Sequence, residues 1–242
     1  MGKKIIVVGC SSGVGKELVL ELLKSGNTVA LIDKKEKEIV EIAKDYKNNS
    51  LAIKHDVTEF QKSEEVFNNA IQKMDGLDEI YYVAGVMEKV EIDEFNIEKD
   101  LRMMNVNILG AIAFLNPAAK YFQSKGKGKI IGISSIAGDR GRVKSPVYNT
   151  SKAALTTYLE ALRNRLARKG IQVLTVRPGF IDTDMTKGME GLFWLISASK
   201  AAQAIIKAAN KGKENIYLPG RWRLVALIII HIPSFIFKKM SI

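Results

Sequence analysis

The stretch Lys4-Ile-Ile-Val-Val-Gly9-Cys-Ser-Ser-Gly13-Val-Gly15-Lys-Glu-Leu18 decides how the chain is read. Ile5 to Val8 form a continuous apolar run, the pattern of a strand buried on both faces inside a parallel sheet. From Glu17 to Leu23 the apolar positions recur at helical spacing. Strand, glycine turn and helix together aim free backbone N–H groups and a helix N-terminus at a phosphate. Glycine suits such a turn because a Cβ would block the close approach of a diphosphate. Two familiar phosphate motifs are excluded. A Walker loop needs glycine where Cys10 stands and a hydroxyl residue where Glu17 stands. The common fingerprint Gly-x-Gly-x-x-Gly fails because three residues separate Gly9 from Gly13. What remains is Gly-x-x-x-Gly-x-Gly, which alone is a weak signal.

Composition narrows the field. A chain of 242 residues with 47% hydrophobic content suits one large α/β domain with a buried core. Cys10 is the single cysteine, which excludes an internal disulfide and fits a reducing, cytoplasmic compartment. With only His55 and His231 beside it, no Cys/His metal cluster is expected. Lys3 and Lys4 run straight into the first strand, so no signal peptide is read, and Ile6 stands where a myristoylation motif wants Ser or Thr. The net charge of +11 suits an anionic cofactor, an acidic membrane or nucleic acid. No zinc, aromatic or helix-turn-helix signature supports nucleic acid, and that reading is set aside.

Strands and helices alternate along the chain. Thr28 to Ile32 reads as a second strand ending on Asp33, about 20 residues beyond the glycine turn, where a carboxylate can accept hydrogen bonds from an adenosine ribose. Asp33 would repel a 2′-phosphate and so favours NAD. Lys34 and Lys35 pull toward NADP, which stays open, and Asp33 can equally cap the charged helix that follows. Leu51 to Ile53 is a third strand leading to Asp56, Val57 and Thr58, with Thr58 expected to cap a helix over Glu59 to Lys73. Asp78 to Val83 is a fourth strand, closed by Ala84 and Gly85. Helical segments are expected from about Ile97 to Ser124, then a fifth strand, Lys129 to Ile133, ending in Ser134 and Ser135. A helix over Val147 to Arg168, stopped by Gly170, precedes a sixth strand at Gln172 to Val176. The alternation predicts one doubly wound domain, a parallel sheet with helices on both faces.

Tyr148 and Lys152 stand four residues apart, one helical turn from each other on one face. A phenol titrates near 10 and is a poor acid or base at neutral pH, whereas a neighbouring cation lowers that value. In a doubly wound sheet this pair, the Ser134-Ser135 strand end and the glycine turn all collect at the carboxyl ends of the strands.

With those residues in place, the chain over about 3–185 resembles the short-chain dehydrogenase/reductase family, which implies a Rossmann-like fold. The family's glycine motif falls on Gly9, Gly13 and Gly15, and its catalytic tetrad on Asn107, Ser135, Tyr148 and Lys152. The resemblance implies that Tyr148 exchanges the proton. Lys152 would lower the Tyr148 pKa and hold the nicotinamide ribose, Ser135 the substrate oxygen, and Asn107 a relay water. It also implies cofactor contacts from Ser11, Ser12, Val14, Asp33, Asp56, Val57, Ala84, Gly85, Pro178, Gly179, Ile181 and Thr183. One departure stands out: where the family has Asn-Asn-Ala-Gly, this chain has Tyr82-Val83-Ala84-Gly85, without the asparagines that brace the sheet.

The domain is expected over 1–218, with a substrate-covering segment at about 184–200, and a separate apolar and basic tail over 219–242. Leu224 to Ile230 is apolar on every face, so burial is expected. The run is too short to span a bilayer. Three fates stay open: packing on the domain, on another subunit of a dimer or tetramer, or in a membrane interface flanked by Arg221, Arg223, Lys238 and Lys239. With the apolar segment Gly191 to Ile196, the tail favours a hydrophobic carbonyl or alcohol substrate for an NAD(P)-dependent oxidoreductase. The rival is a silent dinucleotide-binding sensor or scaffold of the same fold.

Overall fold

A computed structural model describes residues 2–240. The chain alternates as the apolar pattern predicts: β1 (Lys4–Val8), α1 (Gly13–Lys24), β2 (Thr28–Asp33), α2 (Glu36–Lys44), β3 (Ser50–Lys54), α3 (Phe60–Met74) and β4 (Glu79–Tyr82). There follow α4 (Ile97–Met104), α5 (Gly110–Lys125), β5 (Gly128–Ile133), α6 (Pro146–Leu166) and β6 (Ile171–Pro178). Two short strands, β7 (Ile181–Asp182) and β8 (Ile196–Ser197), pair with each other and lead into α7 (Ala198–Asn210) and β9 (Asn215–Leu218). The chain closes with α8 (Trp222–His231) and α9 (Ser234–Phe237).

Seven strands form one sheet in the order β3-β2-β1-β4-β5-β6-β9, every neighbouring pair parallel. Successive side chains of a strand leave on opposite faces, so the two-residue period sorts the core into two layers. Ile6, Val8, Ile80 and Tyr82 face α3, α5 and α6, where they meet Phe67, Phe114 and Leu159. Ile5, Val7, Leu31 and Ile131 face α1, α2 and α7, against Leu18, Ile39 and Ile205. The order reverses between β1 and β4, whose carboxyl ends therefore open a crevice. Cys10 sits fully buried at the foot of that crevice, its Sγ 3.7 Å from the Ile32 carbonyl oxygen.

One expectation is corrected. Thr58 does not cap α3: its N–H and hydroxyl both donate to Asp56 Oδ1, at 3.0 and 2.8 Å. That local turn takes up the hydroxyl, and α3 starts two residues later with no side-chain cap. The helical segments expected from Ile97 are α4 and α5, joined by one π-helical turn at Asn105–Leu109. Of the three fates open to the tail, packing of its apolar run against the domain is not the one seen within this single chain. In α8 only Trp222 and Ala226 are buried, while Leu224 and Ile228 are about two-thirds exposed, at 66% and 65%. Among the described residues, no helix is long and apolar enough to cross a membrane.

Tyr82 supplies a brace where the asparagines are missing. Its fully buried hydroxyl donates to the Val106 carbonyl oxygen at 2.6 Å, tying β4 to the π turn. Gly110 makes room for it, because a Cβ there would lie 2.6 Å from the same hydroxyl. Tyr82→Phe removes a buried hydrogen bond and should cost about 0.5–1.5 kcal/mol in urea unfolding. Gly110→Ala should cost more in the parent chain than in the Tyr82→Phe background, and equal costs in both would show that the two positions do not interact.

Candidate active site

The crevice is a cleft of about 400 Å³. The glycine turn forms its floor. Gly9 has φ +85°, a left-handed conformation, and a Cβ on it would overlap the Ala84 backbone, so the turn lies directly against the end of β4. A Cβ on Gly15 would overlap the Gly9 carbonyl oxygen, which fixes the close packing of α1 beneath the turn. Ser11, Ser12, Gly13 and Val14 line the same floor. No side chain caps α1 and no acidic residue stands in its first turn, leaving its first N–H groups for an anion.

At one end of the cleft stands Asp33. Its carboxylate accepts from the Ser11 N–H at 2.9 Å and from the Lys35 N–H at 3.0 Å, so it organises the turn and the start of α2 together. Asp56 is nearby with Lys34 Nζ 3.7 Å from its carboxylate. Burial pushes the Asp56 pKa up, but the Thr58 hydrogen bonds and the Lys34 ammonium together hold it below its ordinary value. Val57, Lys34 and Lys35 complete this end.

The other end gathers Ala84, Gly85, Ser135, Tyr148, Lys152, Pro178, Gly179, Ile181 and Thr183. Tyr148 opens α6 just after Pro146, whose fixed φ suits the first helical turn. Ser135 ends the strand β5 extends, and its hydroxyl accepts from the Ala137 N–H at 3.0 Å. Lys152 is 4% exposed; its Nζ donates to the Ile133 carbonyl oxygen at 3.0 Å and lies 5.8 Å from the Tyr148 ring centre. Burial lowers the Lys152 pKa from 10.5 to about 8. The Tyr148 phenol moves the other way: burial raises it, and a hydrogen bond with the Ser135 hydroxyl only partly opposes the rise. The expected depression of the phenol by Lys152 is therefore not what this geometry produces. Desolvation dominates, and the ammonium is turned to a backbone carbonyl.

Asn107 alone of the expected set does not line the cleft. It is fully buried in the π turn, where its Nδ2 donates to the Val86 carbonyl oxygen and to Ser151 Oγ, both at 2.9 Å. Its Oδ1 accepts from the Val86 N–H at 2.8 Å. The side chain thus pins the loop after β4 to α6 one residue before Lys152. Arg102 on α4 also reaches the cleft, paired with Glu88 at 3.1 Å. No local motif marks it in the sequence, since only the packing of α4 brings it there.

These residues fit a nicotinamide dinucleotide. An uncapped helix N-terminus meets the diphosphate chemistry, a carboxylate sits where ribose hydroxyls donate, and a buried ammonium and phenol stand at the far end. A Cβ on Gly85 would come within 3.2 Å of Lys152 Nζ, so the backbone there can approach a ligand closely.

A family model described as short chain dehydrogenase matches residues 3–191. An uncharacterized oxidoreductase of Staphylococcus epidermidis is 28% identical over 210 residues, covering 86% of this chain and 91% of the relative. Another, from Staphylococcus saprophyticus, is 31% identical over 188 residues, covering 76% and 80%. Among solved structures, ElxO with NADP bound superposes with a TM-score of 0.80 at 28% identity, covering 90% of this chain and 98% of that one. A short-chain dehydrogenase from Streptomyces avermitilis gives a TM-score of 0.83 at 22% identity, covering 95% and 92%, and shares the fold.

Proposed function

The chain belongs to the short chain dehydrogenase family and is an NAD(P)-dependent oxidoreductase, and on that premise we propose that it interconverts a carbonyl and a secondary alcohol on an apolar substrate. The observation that carries this reading is the meeting of Tyr148, Ser135 and Lys152 at one end of the glycine-turn cleft. When bound, the nicotinamide supplies or takes the hydride. Ser135 holds the substrate oxygen, and Tyr148 gives it a proton in reduction or takes one in oxidation. Lys152 holds the nicotinamide ribose and keeps positive charge beside the phenol. Asn107 is a positioning residue that fixes Val86 and α6. Gly9, Gly13 and Gly15 admit the diphosphate, Asp33 takes the adenosine ribose, and Asp56 and Val57 flank the adenine.

Support for an apolar substrate comes from the segment 184–200, whose first residues, Asp184 to Thr186, line the cleft. Met185 lines the cleft, and Phe193 and Leu195 are half exposed beside it in sequence. A screen of aldehydes and ketones read by nicotinamide absorbance tests the reading, with rates expected to rise with the length of the apolar chain. If cofactor binds and no carbonyl is reduced, the chain is a sensor of the dinucleotide. A homo-oligomer belongs to the same reading, supported by Ile97 and Leu101, exposed on α4.

We infer NAD as the preferred cofactor. A 2′-phosphate would bring close to two negative charges against the Asp33 carboxylate. Lys34 is already drawn to Asp56. The NADP bound in ElxO weighs toward the other cofactor, so the balance of Asp33 against the two lysines decides the matter. Asp33→Ala should shift the NAD to NADP affinity ratio toward NADP by about tenfold or more, on the order of the few kcal/mol such repulsions reach. Fluorescence titration with both reduced cofactors measures it, and tighter NADPH binding by the parent chain would assign specificity to the lysines.

A further inference from the structure

We propose that α8, α9 and the aromatic cluster at their root form a docking surface for an anionic lipid bilayer, with the mouth of the cleft beside it. The proposal goes beyond the redox reading and does not depend on it. At the root, Trp222 packs 5.0 Å from Phe193 and 5.2 Å from Trp194 between ring centres, with Phe180 behind it at 5.8 Å. Trp222 is also wedged against Gly179, where a Cβ would overlap its indole, so the root of α8 is fixed to the cleft wall. At the other end of α8, Arg140 donates to the Ile229 and Ile232 carbonyl oxygens and stacks 3.9 Å from the Phe237 ring. The helix is thereby held at both ends, and it still leaves Leu224, Leu227, Ile228 and Ile230 exposed. Phe235 and Ile236 extend the same exposed apolar character into α9.

Apolar faces of this size on a soluble chain mark an interaction site. Charge identifies the occupant. Residues 219–242 contain Arg221, Arg223, Lys238 and Lys239 and no Asp or Glu. A second copy meeting this patch across a two-fold axis would set those cations against themselves, with no carboxylate from the tail to pair them. An anionic bilayer complements them. Ten residues of α8 make a rod of about 15 Å, too short to span and suited to lying in the headgroup boundary with its apolar face about 5–10 Å deep.

The test is co-sedimentation of the full chain with vesicles of phosphatidylcholine alone or with added phosphatidylglycerol. Trp194 and Trp222, the only tryptophans, both belong to the patch and report binding through their emission. Capture by the anionic vesicles is expected, at least about tenfold stronger than by the neutral ones and weakened by salt. Leu227→Glu with Ile228→Glu, both exposed in the free chain, should abolish it. Lys238→Glu with Lys239→Glu should weaken it about tenfold or more and guards against misfolding of the first variant. Equal capture by both vesicle types, capture of the Leu227→Glu/Ile228→Glu protein, or a patch variant that changes the sedimentation coefficient while neither protein binds vesicles would each overturn the proposal, the last in favour of self-association.

Discussion

Tyr148→Phe is expected to lower turnover by about 10²–10⁴-fold while leaving cofactor affinity nearly unchanged. The substitution removes one hydroxyl and keeps the ring, which is 9% exposed and packed at the start of α6. In the proposed reading, diphosphate binding rests on the glycine turn and the uncapped N-terminus of α1 and not on the phenol. Loss of the proton donor therefore separates chemistry from binding. Single-turnover rates and fluorescence titration, made on the same preparation, report the two quantities independently. Near-normal turnover would sink the assignment of proton exchange to Tyr148, and a parallel loss of cofactor binding would mean that the phenol holds the ligand.

Lys152→Met should do something different, because the lysine is assigned the nicotinamide ribose in the proposed function and is also destabilised by burial. The substitution keeps volume and removes the charge, so turnover and nicotinamide affinity should fall together. Stability should rise. The folded-state pKa of Lys152, about 8, lies below its ordinary 10.5. Between those values the unfolded chain binds more protons than the folded one, so stability climbs with pH across that window. The penalty is complete below about 8 and is relieved above it, and its size is on the order of a few kcal/mol. Urea midpoints of the parent should therefore rise from about pH 7 to pH 9.5, and those of Lys152→Met should start higher and lack that rise. Parallel profiles for the two proteins would place the titration elsewhere.

Much of this was legible in the residues themselves, for identifiable reasons. The continuous apolar run at Ile5–Val8 and the helical spacing after Gly15 are local signals, and repeated along the chain they sufficed to predict a doubly wound parallel sheet. Asp33 and Ser135 were legible because strand ends in such a sheet converge on one cleft, whereas Gly179 was implied by the family resemblance. What escaped depends on tertiary partners. The π turn at Asn105–Leu109 goes with a tyrosine hydroxyl arriving from β4, which nothing in the helical segment announces. The inward turn of Lys152 toward Ile133 depends on how deeply α6 settles on β5. Residues 224–230 look like core by composition, yet the domain's own two layers are already filled by α1, α2, α7 and by α3, α5, α6.

The burial of Cys10 beneath the glycine turn gives the molecule a clock. Reaction with an external thiol reagent requires the β1–α1 turn to lift, because the sulfur has no solvent exposure and its proton is held tightly by desolvation and by the charge of Asp33. With no second cysteine to confuse the signal, the alkylation rate counts openings of that one turn. A ligand whose diphosphate rests on the turn must slow the count in proportion to its occupancy, so the time course of a single covalent label measures how rarely the floor of the cleft breathes.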